Sequence, residues 1–152
     1  MILNGGNING WINFYKPEGL SSFKCVYLLK NIIKIKKIGH AGTLDPLASG
    51  VLPIALGEAT KTIRFAFESD KTYLFRINWG SETSTDDKEG EVISSSKQRP
   101  NKKSILEKIK LFRGEIFQKP PNFSAIKING KRAYDLARSG KTPKLEVRKI
   151  KI

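Results

Sequence analysis

The only histidine of the chain and a carboxylate stand five positions apart in Gly39-His40-Ala41-Gly42-Thr43-Leu44-Asp45-Pro46. Glycine lets a backbone turn where other residues resist, and Pro46 biases Asp45 away from helix. Loops held by rigid flanking elements are where catalytic groups concentrate. A carboxylate in such a loop has three roles open to it. It can be a general base, a covalent nucleophile toward a sugar carbon, or a turn or cap residue with no part in chemistry. His40 is equally open, as a base, a ligand or a hydrogen-bonding group. No metal is expected, since one His and one Cys fall far short of a zinc set. Neither a Gly-x-Ser-x-Gly elbow nor a Walker phosphate loop occurs.

The elements that must position this loop are legible on both sides of it. Residues 10–15 read as a strand, closed by the turn Lys16-Pro17-Glu18-Gly19. Ser21 or Ser22 caps a following helix, in which Cys25, Val26, Leu28, Leu29, Ile32 and Ile33 recur at helical spacing. The glycine-histidine segment is read as loop, residues 51–56 as a buried strand and 58–67 as helix. Residues 71–79 alternate as a strand, with Tyr73, Phe75, Ile77 and Trp79 on one face. A polar loop over 80–90 leads to a returning strand at 91–93, and 101–112 is an amphipathic helix. Residues 120–124 read as irregular. Asn129-Gly130 marks a hairpin, 133–138 a short helix ended by Gly140, and 145–152 a strand. That last strand is expected to pair with sequence beyond the chain rather than within it. Strands and helices intersperse irregularly, which gives an α+β class.

At 152 residues the chain fits one domain. It contains no stretch near the ~20 apolar residues of a membrane span. The Asn- and Gly-rich start, residues 1–10, lacks a signal-peptide pattern. A lone cysteine is compatible with a reducing cytoplasm, the expected compartment. Lys and Arg number 28 against 14 Asp and Glu, a net charge of +14. A polyanion is the partner such charge favours, through counterion release from phosphates. Coding bias toward AT also raises Lys, Ile and Asn, here 21, 18 and 9, but does not remove acidic residues.

The segment from Gly39 to Pro53, Gly39-His40-Ala41-Gly42-Thr43-Leu44-Asp45-Pro46-Leu47-Ala48-Ser49-Gly50-Val51-Leu52-Pro53, resembles the signature of the TruB-type tRNA pseudouridine synthases. Lys16-Pro17-Glu18-Gly19-Leu20-Ser21-Ser22 resembles the family's N-terminal Lys-Pro motif. Further similar segments are Leu56-Gly57-Glu58-Ala59-Thr60-Lys61, Asp70-Lys71-Thr72-Tyr73, Pro121-Asn122-Phe123-Ser124-Ala125-Ile126-Lys127, and Gly130-Lys131-Arg132-Ala133-Tyr134-Asp135-Leu136-Ala137-Arg138. The resemblance implies a pseudouridine synthase catalytic fold, a mixed and mainly antiparallel sheet flanked by helices and loops. It implies isomerisation of uridine at position 55 in the T loop of tRNA, with no cofactor and no obligate protein partner. Asp45 would be the catalytic aspartate. Tyr73 would stack on the flipped base, His40 would contact the RNA, and Lys16 would lie among the substrate-binding residues, supporting loop structure or phosphate rather than chemistry. Lys127, Lys131 and Arg132 are candidate phosphate contacts.

Family members continue further, with an arginine that pairs with the aspartate and usually a small C-terminal RNA-binding domain. Arg148 is not at that arginine's place. Residues 1–152 are therefore expected to be the N-terminal part of the catalytic domain, incomplete at the C-terminus, and an unpaired buried Asp45 would tend toward protonation. Two alternatives stay open: a non-catalytic RNA-binding remnant, and a guide-RNA-dependent rRNA pseudouridine synthase.

Overall fold

Alternation builds the first element. Ile12, Phe14 and Lys16 turn inward and Trp11, Asn13 and Tyr15 outward along strand β1, Gly10–Lys16. A computed structural model of the chain describes residues 8–121, 124, 126–141 and 143–152. Two compact units divide it, Met1–Leu74 and Phe75–Ile152. The class is α+β, and every strand pairing among the described residues is antiparallel.

In the first unit, helix α1 (Ser22–Ile33) follows β1 and ends at Lys34, whose left-handed backbone (φ 54°) stops it. Strand β2 is Ile38–His40 and β3 is Gly50–Leu56, giving a sheet of order β1-β3-β2. Gly39 and His40, expected in a loop, thus lie on a strand, with His40 opposite Ile54. Three residues are too few for alternation to reveal. Pro53 is tolerated in the central strand because its backbone faces the end of β2, where its carbonyl accepts from the Ala41 N–H. Cys25, Ile33, Ile35, Leu52, Ile54 and Leu56 form the core between α1 and the sheet. A 3-10 stretch, Gly57–Thr62, runs into the short helix α2, Ile63–Phe67, so the helix expected over 58–67 is present in two forms.

The strand expected over 71–79 is not formed. Those residues carry the alternation, but no described strand pairs with them, and Tyr73, Leu74 and Phe75 are exposed. Alternation identifies two faces; ladder hydrogen bonds make a strand.

The second unit contains the hairpin β4 (Ser81–Thr83) and β5 (Val92–Ser95), then helix α3, Lys102–Ile109, capped by the Asn101 side chain on the Ser104 N–H. Strand β6, Glu115–Gln118, pairs with β9, Arg148–Lys151. The C-terminal strand therefore has a partner within the chain, contrary to the sequence reading, which overlooked the four-residue Glu115-Ile116-Phe117-Gln118. The hairpin β7 (Lys127–Ile128) and β8 (Lys131–Arg132) turns at Asn129 and Gly130, with φ of 49° and 82°. Both positive values are those of a type I′ turn. Helix α4, Ala133–Arg138, follows. Of the residues read from the sequence, Asn122, Phe123, Ala125 and the first seven lie outside the described residues.

Candidate functional site

The turn after Leu44 presents the carboxylate. Asp45-Pro46-Leu47-Ala48 is closed by the Ala48 N–H donating to the Asp45 carbonyl at 3.0 Å, with proline at the second position. Asp45 itself is exposed, not buried as expected. Its neighbours Thr43, Leu44, Leu47 and Ala48 line an open cleft of about 800 Å³ between the loop, β3 and the segment after α2. Tyr73 lines the same cleft and is 68% exposed. His40 ends β2 half-buried, and its Nδ1 pairs with the Gly42 carbonyl, whose residue also lines the cleft.

Behind the turn lies Lys16, the last inward position of β1 and fully buried. Its Nζ donates to the carbonyls of Pro17 (2.8 Å), Leu20 (2.6 Å) and Pro46 (3.4 Å). A buried ammonium is tolerated when hydrogen-bonded, and here the acceptors are backbone oxygens. Lys16 thus braces the loop from within and, being fully buried with its ammonium spent on carbonyls, is not the substrate-binding or phosphate-binding group expected from the sequence. The Gly19 N–H adds a 2.7 Å bond to the same Pro46 carbonyl.

Lys71 holds the segment leading to Tyr73. Its Nζ donates to the carbonyls of Ala66 (3.2 Å), Phe67 (2.5 Å) and Ser69 (2.5 Å) at the end of α2, where cations are favoured. Sequence reasoning passed over Lys71 as a site residue. It also missed Ser22, whose buried hydroxyl bonds both backbone groups of Leu44. Two adjacent serines where one cap suffices were the available signal.

In the first unit Lys16 and Asp45 thus meet at one loop, whose Leu44, Leu47 and Ala48 line a cleft together with Tyr73, and His40 stands at the loop's start. Lys127, Lys131 and Arg132 belong to the second unit, on β7 and β8 at the Asn129-Gly130 turn, and Lys131 is exposed. Arg148 lies on β9, its guanidinium 3.5 Å from the Gln118 side-chain oxygen. Among the described residues no three His, Cys, Asp or Glu side chains are grouped to hold a metal ion. Among them, too, no helix is long and apolar enough to cross a membrane.

Residues 30–152 match the TruB family pseudouridylate synthase (N terminal domain). The chain belongs to this family. It is 52% identical over 148 residues to tRNA pseudouridine synthase B of Bartonella quintana, an alignment covering 97% of this chain and 55% of that one. Against the tRNA pseudouridine synthase B of Brucella melitensis biotype 1 the identity is 50%, covering 97% and 46%. The chain thus spans about half the length of the curated relatives it matches. Among solved structures, the crystal structure of a Cbf5-Nop10-Gar1 complex aligns with a TM-score of 0.56 and 29% identity, over 93% of this chain and 33% of that one. The family match begins inside α1 and takes in the Asp45 loop, the cleft segment and the whole second unit.

Proposed function

We propose that the chain is the Asp45-bearing part of a synthase that isomerises uridine to pseudouridine at position 55 in the T loop of tRNA. The observation that carries this reading is an exposed Asp45 on a turn braced through Lys16, whose neighbours Leu44 and Leu47 line a cleft with Tyr73. The half-identical tRNA pseudouridine synthases supply the substrate class. The cleft volume lies within the usual range for a small-molecule site and accommodates one nucleoside.

The reaction breaks the N1–C1′ bond, turns the uracil and joins C5 to C1′. A proton leaves C5 and one is gained at N1, with no net oxidation, so the conversion calls for no redox partner. Asp45 acts on the ribose or the base, as nucleophile or as base toward C2′. A base stacked inside a folded loop is out of reach, so it must flip, at a cost of a few kcal/mol. Tyr73 stacks on the flipped uracil and assists loss of the C5 proton. His40 contacts the RNA where the base has left. Lys127, Lys131 and Arg132 contact phosphates, which set register rather than sequence.

Replacement of Asp45 by Asn tests the reading. In the full product of the gene, D45N is expected to abolish tritium release from tRNA carrying 5-tritiated uridine. Its tRNA affinity should stay within about threefold of wild type, because phosphate contacts dominate that affinity. Normal turnover by D45N would sink the proposal. Binding by the unaltered protein without tritium release favours the non-catalytic remnant. Turnover on naked tRNA excludes dependence on a guide RNA.

A further inference from the structure

We propose that Ser22 is a positioning residue for Asp45, clamping the residue before it by both of its backbone groups. The inference rests on the reading of Asp45 given above. Helix α1 does not use the Ser22 hydroxyl for its own cap, because Ser21 already accepts from the Lys24 N–H at 3.1 Å. A hydroxyl carries one donor and two acceptor sites. Ser22 uses both kinds on one residue, donating to the Leu44 carbonyl at 3.0 Å and accepting from the Leu44 N–H at 2.9 Å. Ser22 is 2% exposed, so it does not reach substrate and acts only through Leu44.

The consequence lies in which bonds are left free. Rotation about the Leu44 backbone breaks one or both of these hydrogen bonds. On the other side, the Pro46 carbonyl is held by the Gly19 N–H and the Lys16 ammonium. Asp45 is the one residue between the two fixings, and the turn closed by Ala48 restrains its own carbonyl. Its carboxylate therefore leaves a backbone that the segment from Lys16 to Ser22 fixes on both flanks. That segment comes from a different part of the chain, so the loop's direction is set by tertiary contact, not by its own sequence. Misplacing a reacting group by about 1 Å costs on the order of 100-fold in rate. Losing the clamp should thus be read in kcat, not in tRNA capture.

The test compares S22A and S22T with wild type and D45N in the full product of the gene. For S22A, kcat for tritium release is expected to fall about 10- to 100-fold, with KM within about twofold. Exchange of the Leu44 amide should accelerate, while the amides pairing β1 with β3 exchange as before. S22T, which restores a hydroxyl, should recover most of kcat. If S22A does not fold, S22C keeps the bulk with only a weak donor, and the same kcat loss and Leu44 exchange are then required of it. Wild-type kcat in S22A beside an inactive D45N overturns the proposal, as does a loss confined to KM or one that S22T fails to restore. Normal turnover by D45N instead removes the reading of Asp45, and this inference falls with it; Leu44 exchange then still reports separately on the clamp.

Discussion

On the proposed reading, Tyr73 would offer two separable groups to a flipped base, a ring face and a hydroxyl. Y73F keeps the ring, so tRNA affinity should hold while tritium release slows by at least about 100-fold, the low end for a proton-transfer group. Y73L removes the ring as well and should add a binding loss of about 1–3 kcal/mol, the worth of one stacked base. Full activity in Y73F would strip the hydroxyl of any part in C5 deprotonation. Lys16 presents the opposite case, a charge with no access to substrate. K16M would leave the carbonyls of Pro17 and Leu20 without this donor and Pro46 with the Gly19 N–H alone, and about 2 kcal/mol of stability should be lost in urea denaturation. Its inward position continues the parity of Ile12 and Phe14 in β1, whereas the sequence reading ended that strand at Tyr15 and put Lys16 in the turn. Asp45, His40 and Tyr73 stand out in the sequence through their motifs, and the structure adds where they lie. Their exposure was not readable there: a buried Asp45 was expected, and burial depends on neighbours that a loop sequence does not name.

The start of α2 comes close to the sheet at Gly39, where Ile63 lies over the strand. A Cβ there would stand 2.8 Å from Ile63 Cδ1, the far end of a half-buried side chain that can turn aside, so G39A should cost about 1 kcal/mol, the low end for overpacking. Because the obstacle is the tip of one side chain, adding I63A should recover part of that loss in a double-mutant cycle. The connection from β3 into α2 carries an exposed electrostatic tie as well. Glu58 bonds Lys37 at 2.7 Å and Lys61 at 2.5 Å, and chiefly the Lys37 hydrogen bond holds its pKa at about 2. A lowered carboxylate pKa stabilises the fold above the ordinary value of 4.5, and the contribution disappears as pH falls toward 2. An NMR titration of the Glu58 carboxyl should therefore find its midpoint near 2 in wild type, and nearer 4.5 in K37A. The long periodic elements were legible: β1, α1, β3 and α3 all follow from spacing and caps. The pairings were less so. Residues 71–79 have the alternation without a partner, whereas Glu115–Gln118 is too short to announce itself and does pair. Strand pairing is a non-local fact, and a one-dimensional pattern carries only half of it.

A net charge of +14 on 152 residues makes salt the first variable for any RNA measurement. If about 6–10 phosphates are neutralised, tRNA affinity should drop by roughly 10³- to 10⁵-fold between 50 and 200 mM salt. Charge would draw an RNA in without choosing a base, so a second probe must isolate base capture. The boundary between the two units supplies one, since it falls at Leu74 and Phe75, beside Tyr73. Residues 71–78 are exposed and outside any helix or strand there, with Leu74 at 102% and no strand partner among the described residues. Exposed backbone outside any ladder is the preferred site of proteolytic nicking. Chymotrypsin should therefore cut first after Tyr73, Leu74 or Phe75, yielding two fragments of about half the chain each. A base stacked on Tyr73 would shield this segment, so tRNA should slow the first cut. Heparin brings the negative charge without a base and should protect far less. Equal protection by both would trace the effect to charge alone and remove Tyr73 from base capture, while leaving the role of Asp45 to its own test.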